Sequence, residues 1–423
     1  MFLGLIFGLA NNIISTHLLS ERDYGFFRLL QMSWLLGIVV LGFGYFSTVG
    51  LKILNNKTDV QLKRDVFNGG CVLAFLMGSL LLIATGAAHY FGLWSLNIPT
   101  SDNILPYYCL IVSAFSLLFV PYSALIQEYC RSTGSIFWLC TISIAPPVLF
   151  LLVITSFITV IEWNFNANIT IIDFVLAGNF RFDLKLDFVF VLCAYLSSQM
   201  IPAFIFILSE QAWRGRMFKG LGIIFSNNKH LGFNVYQASV LGSTTSQFGA
   251  FAVAHFSGAE SAGKFALAQT ITNPLMLFPN ALANTRYREF SEAEQFPLHV
   301  LKLAIIVVAL SFAIFCLIID PIVTFAFPSS YKDVVILSLI SGFGASLHGI
   351  GDLLNRFLLA HGKVSVLRNS AFIVFVFTII SYISLNYYYG VIGAVIAKVI
   401  IDLVYILTMA IYQPKKPSIK DSI

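Results

Sequence analysis

Hydrophobic positions run along this chain in long stretches, rich in Leu, Ile, Phe and Val, separated by short polar breaks. The runs are about 20 residues long, the length a helix needs to cross the hydrocarbon of a bilayer. They do not alternate with period two, so they are not the roughly ten-residue strands of an outer-membrane barrel. Spans are predicted near 1–19, 26–50, 69–92, 104–125, 135–161 and 186–209, then near 231–254, 262–283, 301–323, 334–359, 369–388 and 391–412. The pattern predicts an all-α, polytopic membrane protein of about twelve transmembrane helices. It divides into a first set of six at 1–209, a linker at 210–230, a second set at 231–412 and a tail at 413–423.

One polar stretch breaks the rule. Asn179 to Phe188, NFRFDLKLDF, alternates strictly, with NITIIDFV upstream and Ala177-Gly178-Asn179 between. This reads as a β-hairpin outside the membrane, packed as a cap on helix ends. Pro121, Pro146, Pro147, Pro202, Pro274 and Pro279 fall inside spans. Proline frees backbone carbonyls there, to be satisfied by neighbouring helices or a water-filled cavity.

The chain also echoes itself. His17 to Gln31 reads HLLSERDYGFFRLLQ and His255 to Gln269 reads HFSGAESAGKFALAQ. Without gaps, His17 matches His255, Gly25 matches Gly263, and Phe27, Leu29 and Gln31 match Phe265, Leu267 and Gln269. Such self-similarity predicts two copies of one helical unit. Copies in the same orientation are related by an axis along the membrane normal, as in transporters whose substrate path lies between the halves.

Composition narrows the class. Hydrophobic residues make up 58% of the chain and charged residues 11%. A soluble domain carries about 25% charged residues. The net charge of +5 comes from Lys and Arg placed between spans rather than in one patch, so nucleic acid is not indicated as a partner. Six scattered cysteines without a CxxC predict neither a metal site nor a disulfide framework. No cofactor motif is present. The start, MFLGLIFGLANNIISTHLLS, lacks a basic n-region and a small-residue cleavage site. It reads as a first spanning helix from Met1.

Lys and Arg concentrate on one side of the predicted spans, in the loops holding Lys52, Lys63, Arg214, Arg216, Arg286 and Lys363 and in the tail. The opposite side holds few, among them Arg22, Arg181 and Lys332. The positive-inside rule makes the first side cytoplasmic, with both termini on it.

Four stretches carry a family resemblance. HLLSERDYGFFRLLQ resembles the LLxxxxYGxF stretch of O-antigen (Wzx-type) polysaccharide flippases, within the multidrug/oligosaccharidyl-lipid/polysaccharide exporter superfamily. GAESAGKFALAQTI resembles the GxYxxA stretch opening that family's eighth helix. DPIVTFAFPSSYKDV resembles the segment leaving the ninth, and YYYGVIGAVIAK the YGxxGAA stretch opening the twelfth. The resemblance implies two six-helix lobes around a central cavity, alternating access, and an undecaprenyl-diphosphate-linked oligosaccharide as substrate in a bacterial inner membrane. Lipid is the surrounding partner, and the polysaccharide polymerase a further one. Members usually carry a short cytoplasmic segment before helix one, from which this chain departs.

Polar groups inside spans are the candidate site. A charge at membrane depth costs at least about 2.5–3.5 kcal/mol and so needs an explanation. Arg28 and Lys264 fall two positions apart in the repeat. The resemblance puts both of their helices on the cavity wall, where they would attract a diphosphate or an acidic sugar; the alternative is snorkelling to the outer interface. Gln31 and Gln269, equivalent in the repeat, suit sugar hydroxyls or helix–helix contacts. His348, Asp352 and Arg356 line one helix face at i, i+4 and i+8. That row reads either as a proton relay for ion coupling or as a structural Asp–Arg pair. Lys398 and Asp402 form a second i, i+4 pair, read as structural.

Three functions compete. A flippase for lipid-linked glycans leads. A cation-coupled multidrug exporter of the same superfamily typically carries an acid in helix one, where this chain has Asn11 and Asn12. A membrane glycosyltransferase or glycan polymerase would need a large external loop or a D-x-D pair, and none is found, so no catalytic residue is assigned. The topology is directly testable. A reporter active only outside the cytoplasm should be silent when fused after Ile423 and active when inserted within 165–180; the reverse pattern overturns the orientation.

Overall fold

The computed structural model describes residues 2–55, 59–90, 105–165, 187–210, 214–361 and 363–412. The predicted hairpin lies outside them, except that Asp187 and Phe188 open a helix. The described chain is helical: α1 (Phe2–Leu18), α2 (Glu21–Gly42), α3 (Tyr45–Asn55), α4 (Val60–Tyr90), α5 (Leu105–Leu117), α6 (Val120–Thr133), α7 (Ile136–Phe165) and α8 (Asp187–Ser209). Then follow α9 (Met217–Thr272), α10 (Pro274–Thr285), α11 (Tyr287–Glu292), α12 (Leu298–Ala326), α13 (Val334–Ala360) and α14 (Val364–Ile411). Eight of the described helices are long and apolar enough to cross a membrane. The all-α, polytopic class is thus what the structure has.

Two long helices hide reversals. α9 leaves helical geometry at Gly258 (φ 85°, ψ 169°) and α14 at Gly390 (φ 59°, ψ −143°). Both lie in backbone regions that glycine enters without penalty. Gly249 and Phe265 both lie against the Tyr382 ring. In a straight helix these two would be about 24 Å apart, so α9 folds back between them. Likewise a Cβ on Gly393 would meet the Leu385 carbonyl, which only a reversal allows. The predicted gaps at 255–261 and 389–390 are therefore single-glycine turns. They meet each other: Ser257 Oγ lies 3.6 Å from the Cβ position of Gly390 and donates to Asn386 Oδ1 at 3.3 Å.

Elsewhere the predicted spans are cut. The span at 26–50 is α2 and α3, broken at Phe43-Gly44, both with positive φ. The span at 104–125 is α5 and part of α6, with Pro121 near the start of α6. The linker at 210–230 is helical from Met217 onward.

The chain forms two compact units, Met1–Ser20 with Leu30–Val240, and Glu21–Leu29 with Leu241–Ile423. In the first, Phe67 of α4 packs on Tyr129 of α6 (4.5 Å between centroids) and on Phe206 of α8 (5.8 Å), and Trp138 of α7 closes on Phe206 at 5.1 Å. Aromatic edges thus join four helices around one centre. The break at Phe43 exposes a carbonyl, which Asn228 caps from α9 at 2.8 Å while accepting from Thr48 at 2.8 Å. Asp65, fully buried on α4, accepts from the Arg216 backbone N–H at 2.8 Å and its guanidinium at 3.2 Å. This pins the basic start of α9 onto α4.

In the second unit, Phe290, Phe296 and Phe357 form the core that joins α11 and α13. His361, just past the end of α13, has its ring nitrogens on the Phe357 and Ala293 carbonyls, each at 2.9 Å. The segment Glu21–Leu29 crosses α9 where Gly25 meets Gly263. A Cβ on Gly25 would sit 1.8 Å from the Ala259 carbonyl oxygen, and one on Gly263 2.8 Å from the Gly25 Cα. The backbones therefore touch as they do in small-residue crossings of membrane helices.

This crossing sets a prediction. Gly25→Ala should destabilise the protein by about 1–3 kcal/mol, the usual cost of overpacking. Gly86→Ala on α4, where a Cβ meets nothing within 4 Å, should be neutral or stabilising by up to about 1 kcal/mol. Thermal unfolding of the two variants in detergent gives the comparison, and equal midpoints would contradict the backbone contact.

Candidate functional site

The crossing of α2 and α9 carries the first group of candidates. Glu21, Gly25 and Arg28 follow at helical spacing on α2, and Glu260, Gly263 and Lys264 lie on α9 just past the Gly258 turn. Because two glycines let the backbones touch, long side chains above and below them reach across. Lys264 Nζ lies 2.7 Å from Glu21 Oε2 and 3.0 Å from Glu260 Oε1, with only 13% of its side chain exposed. Its charge is engaged by two carboxylates. One turn deeper, the Arg28 guanidinium donates to Thr270 Oγ1 at 3.0 Å, and Thr270 in turn donates to the Ala266 carbonyl. Tyr24 and Tyr331, both buried, meet edge-on at 6.0 Å on the same side of the crossing. Burial, with Tyr24 and Glu21 nearby, raises the Tyr331 phenol well above its ordinary range.

The structure thus brings Arg28 and Lys264 into one neighbourhood but gives them different surroundings. Glu21 and Thr270 are the residues that sequence reasoning missed. The Glu260–Lys264 spacing of i, i+4 was legible. The Glu21 partner depends on a crossing that only the fold supplies. Gln31 belongs to the first unit and Gln269 to the second, each partly buried on its helix.

The second group sits on α13 and the second half of α14. His348 Nδ1 is 2.9 Å from Asp402 Oδ1, and His348 Nε2 is 3.7 Å from Asp352 Oδ1. Lys398 Nζ holds the other Asp402 oxygen at 3.0 Å. The Tyr405 hydroxyl donates to Asp352 Oδ1 at 3.0 Å and accepts from Asn355 at 2.9 Å. The two rows seen separately along the sequence are therefore one network, with His348 as the link. Arg356 is exposed, and Asp352 takes Tyr405 and His348 as neighbours instead. A phenol arriving from a packed helix reaches the buried side of Asp352, which an i+4 guanidinium on the outer face does not.

The polar pair of α1 serves structure. With its amide turned so that oxygen and nitrogen face matching partners, Asn11 donates to the Pro147 carbonyl of α7 at 3.1 Å, and Asn12 donates to the Gly8 carbonyl at 2.7 Å.

The ion-paired state of Lys264 has a measurable consequence. Lys264→Gln leaves Glu21 and Glu260 facing each other and should cost about 1–2 kcal/mol, less than a fully buried pair because Glu260 is half exposed. Glu260→Gln should cost under about 0.5 kcal/mol. Thermal midpoints of the two variants should fall in that order; a silent Lys264→Gln would show that the pair holds nothing together.

No family model matches the sequence, and no curated protein matches it either. Solved structures do match. The chain is similar to the lipid II flippase MurJ in an inward closed conformation, with a TM-score of 0.72 at 16% identity over 97% of this chain and 85% of that one. It is similar to an inward-facing multidrug resistance MATE family transporter of the MOP superfamily, with a TM-score of 0.66 at 14% identity over 96% and 94% of the two chains. The MATE transporter VcmN of Vibrio cholerae gives a TM-score of 0.56 at 15% identity over 96% and 93%. The chain therefore has the fold of the MurJ flippase and of these MATE transporters.

Proposed function

We propose that this protein flips an undecaprenyl-diphosphate-linked oligosaccharide, the repeat unit of an O-antigen or related surface polysaccharide, across the bacterial inner membrane. The observation that carries the reading is the chemistry of the first two helices. α1 has no acidic residue, and its polar pair is engaged with backbone carbonyls. α2 carries Arg28, whose guanidinium donates to Thr270 Oγ1. A planar cation suits phosphate oxygens, whereas an acid-free first helix does not suit the cation-coupled drug exporter. The likeness to a lipid II flippase adds support, since that protein's substrate is by name a lipid-linked molecule.

In this reading Arg28 attracts the diphosphate, Gln31 and Gln269 meet sugar hydroxyls, and Lys264 positions the α2–α9 crossing. The product, a lipid-linked glycan on the outer leaflet, is what a polysaccharide polymerase consumes, so that enzyme is the natural partner.

Deleting the gene should abolish surface glycan and leave lipid-linked precursor inside the cell. Arg28→Ala at normal membrane levels should cut export about tenfold or more, the worth of one charge-assisted hydrogen bond, and Arg28→Lys should restore part of it. Unchanged surface glycan with raised drug sensitivity in the deletion strain would instead favour the multidrug exporter.

A further inference from the structure

The α13–α14 network has more titratable groups than a structural clasp needs. Asp402 is 4% exposed, Lys398 17%, Asp352 26% and His348 37%. Lys398 and Asp402 cancel. That leaves Asp352 and His348, so the group is neutral when His348 carries two protons and holds one net negative charge when it carries one. Within helices that cross a membrane an uncompensated charge is costly. We propose that His348, Asp352, Lys398 and Asp402 form a one-proton site that couples conformational change in this transporter to the proton gradient. This deepens the flippase reading and rests on it for the word coupling.

The atoms identify where the proton goes. Asp402, held by Lys398, can only accept, so His348 Nδ1 carries hydrogen in both states. The variable proton is therefore on Nε2, which faces Asp352 across 3.7 Å. Binding fills the Nε2 lone pair, and release returns the proton to water with no other bond broken. Asp352 is kept facing the ring by the Tyr405 hydroxyl, itself fixed by Asn355. The Tyr405 ring stacks on the imidazole at 4.9 Å and 26°, an arrangement that favours the cation. On α13, a Cβ at Gly344 would lie 2.9 Å from Asp402 Oδ2, so the missing side chain lets the carboxylate come close.

Other charges do not substitute. Arg356, one turn past Asp352, is exposed. Tyr382, from the first half of α14, is buried near Asp402. α10 has no titratable residue. Glu289 of α11 pairs with Arg286 and with His299 of α12, and neither Lys302 nor Asp320 of α12 forms an ion pair with this group among the described residues. The two carboxylates lie on different nitrogens of one ring, an arrangement that leaves Nε2 to take a proton beside Asp352.

The test needs no glycan. Spin labels at Ser226 and Thr285, both exposed, are placed on a chain whose six native cysteines are replaced. Their distance distribution is measured in lipid nanodiscs at about pH 6 and about pH 8, across the range where histidine switches. The distribution should shift between the two in the wild-type background. The shift should be lost in His348→Gln and in Asp352→Asn, and retained in His361→Gln, which alters a backbone-capping histidine. If His348→Gln does not fold, as judged by its thermal midpoint, Asp352→Asn alone carries the result. A full shift in the variant that folds, or none in the wild type, overturns the proposal. A protein that shifts with pH but exports no surface glycan would sink the substrate reading and leave the proton site standing.

Discussion

Every charge within the spanning helices of this protein is constrained by the cost of leaving water. A lone ion at that depth is far more expensive than a paired one. The described helices obey this by crossing so closely that side chains from one can neutralise those of another. Lys264 finds Glu21 and Glu260, Asp402 finds Lys398 and His348, and Asp65 finds Arg216 and Lys219. Lys264 with Glu21, Asp402 with His348 and Asp65 with Arg216 each need two chain segments at short range. The glycines Gly25, Gly263 and Gly344 are therefore part of the electrostatics as much as of the packing.

The same economy explains the irregular backbone. Where a helix breaks inside the apolar region, its freed carbonyls must be met from within the protein. Asn228 meets Phe43 at the α2–α3 break, and Asn11 reaches the proline-containing stretch of α7. Side-chain amides at these places hold backbone. Polar residues in such a chain divide into those a break requires and those left over for a substrate, and only the fold separates the two.

Much of the fold was legible because hydrophobic runs of spanning length leave few alternatives. The breaks were less so. Gly258 and Gly390 fall in the predicted gaps at 255–261 and 389–390, whereas the breaks at Phe43-Gly44 and between Leu117 and Val120 cut predicted spans and have no polar loop to announce them. The match of His17–Gln31 with His255–Gln269 pointed to Gly25 and Gly263 as equivalent residues. It did not say that they touch, since periodicity carries no distance. In the candidate site, pairs at i, i+4 such as Glu260–Lys264 and Lys398–Asp402 could be read directly. Glu21 with Lys264, and His348 with Asp402, could not, because those partners are joined by helix packing across hundreds or dozens of residues.

The paired turns at Gly258 and Gly390 have a further consequence. Two successive helices here are joined by one residue, and the two joints lean on each other through Ser257. A protease must draw an extended stretch of several residues into its cleft, and neither joint has one to give. This corner should outlast digestion that trims ordinary loops, and it is a poor place to graft an epitope tag.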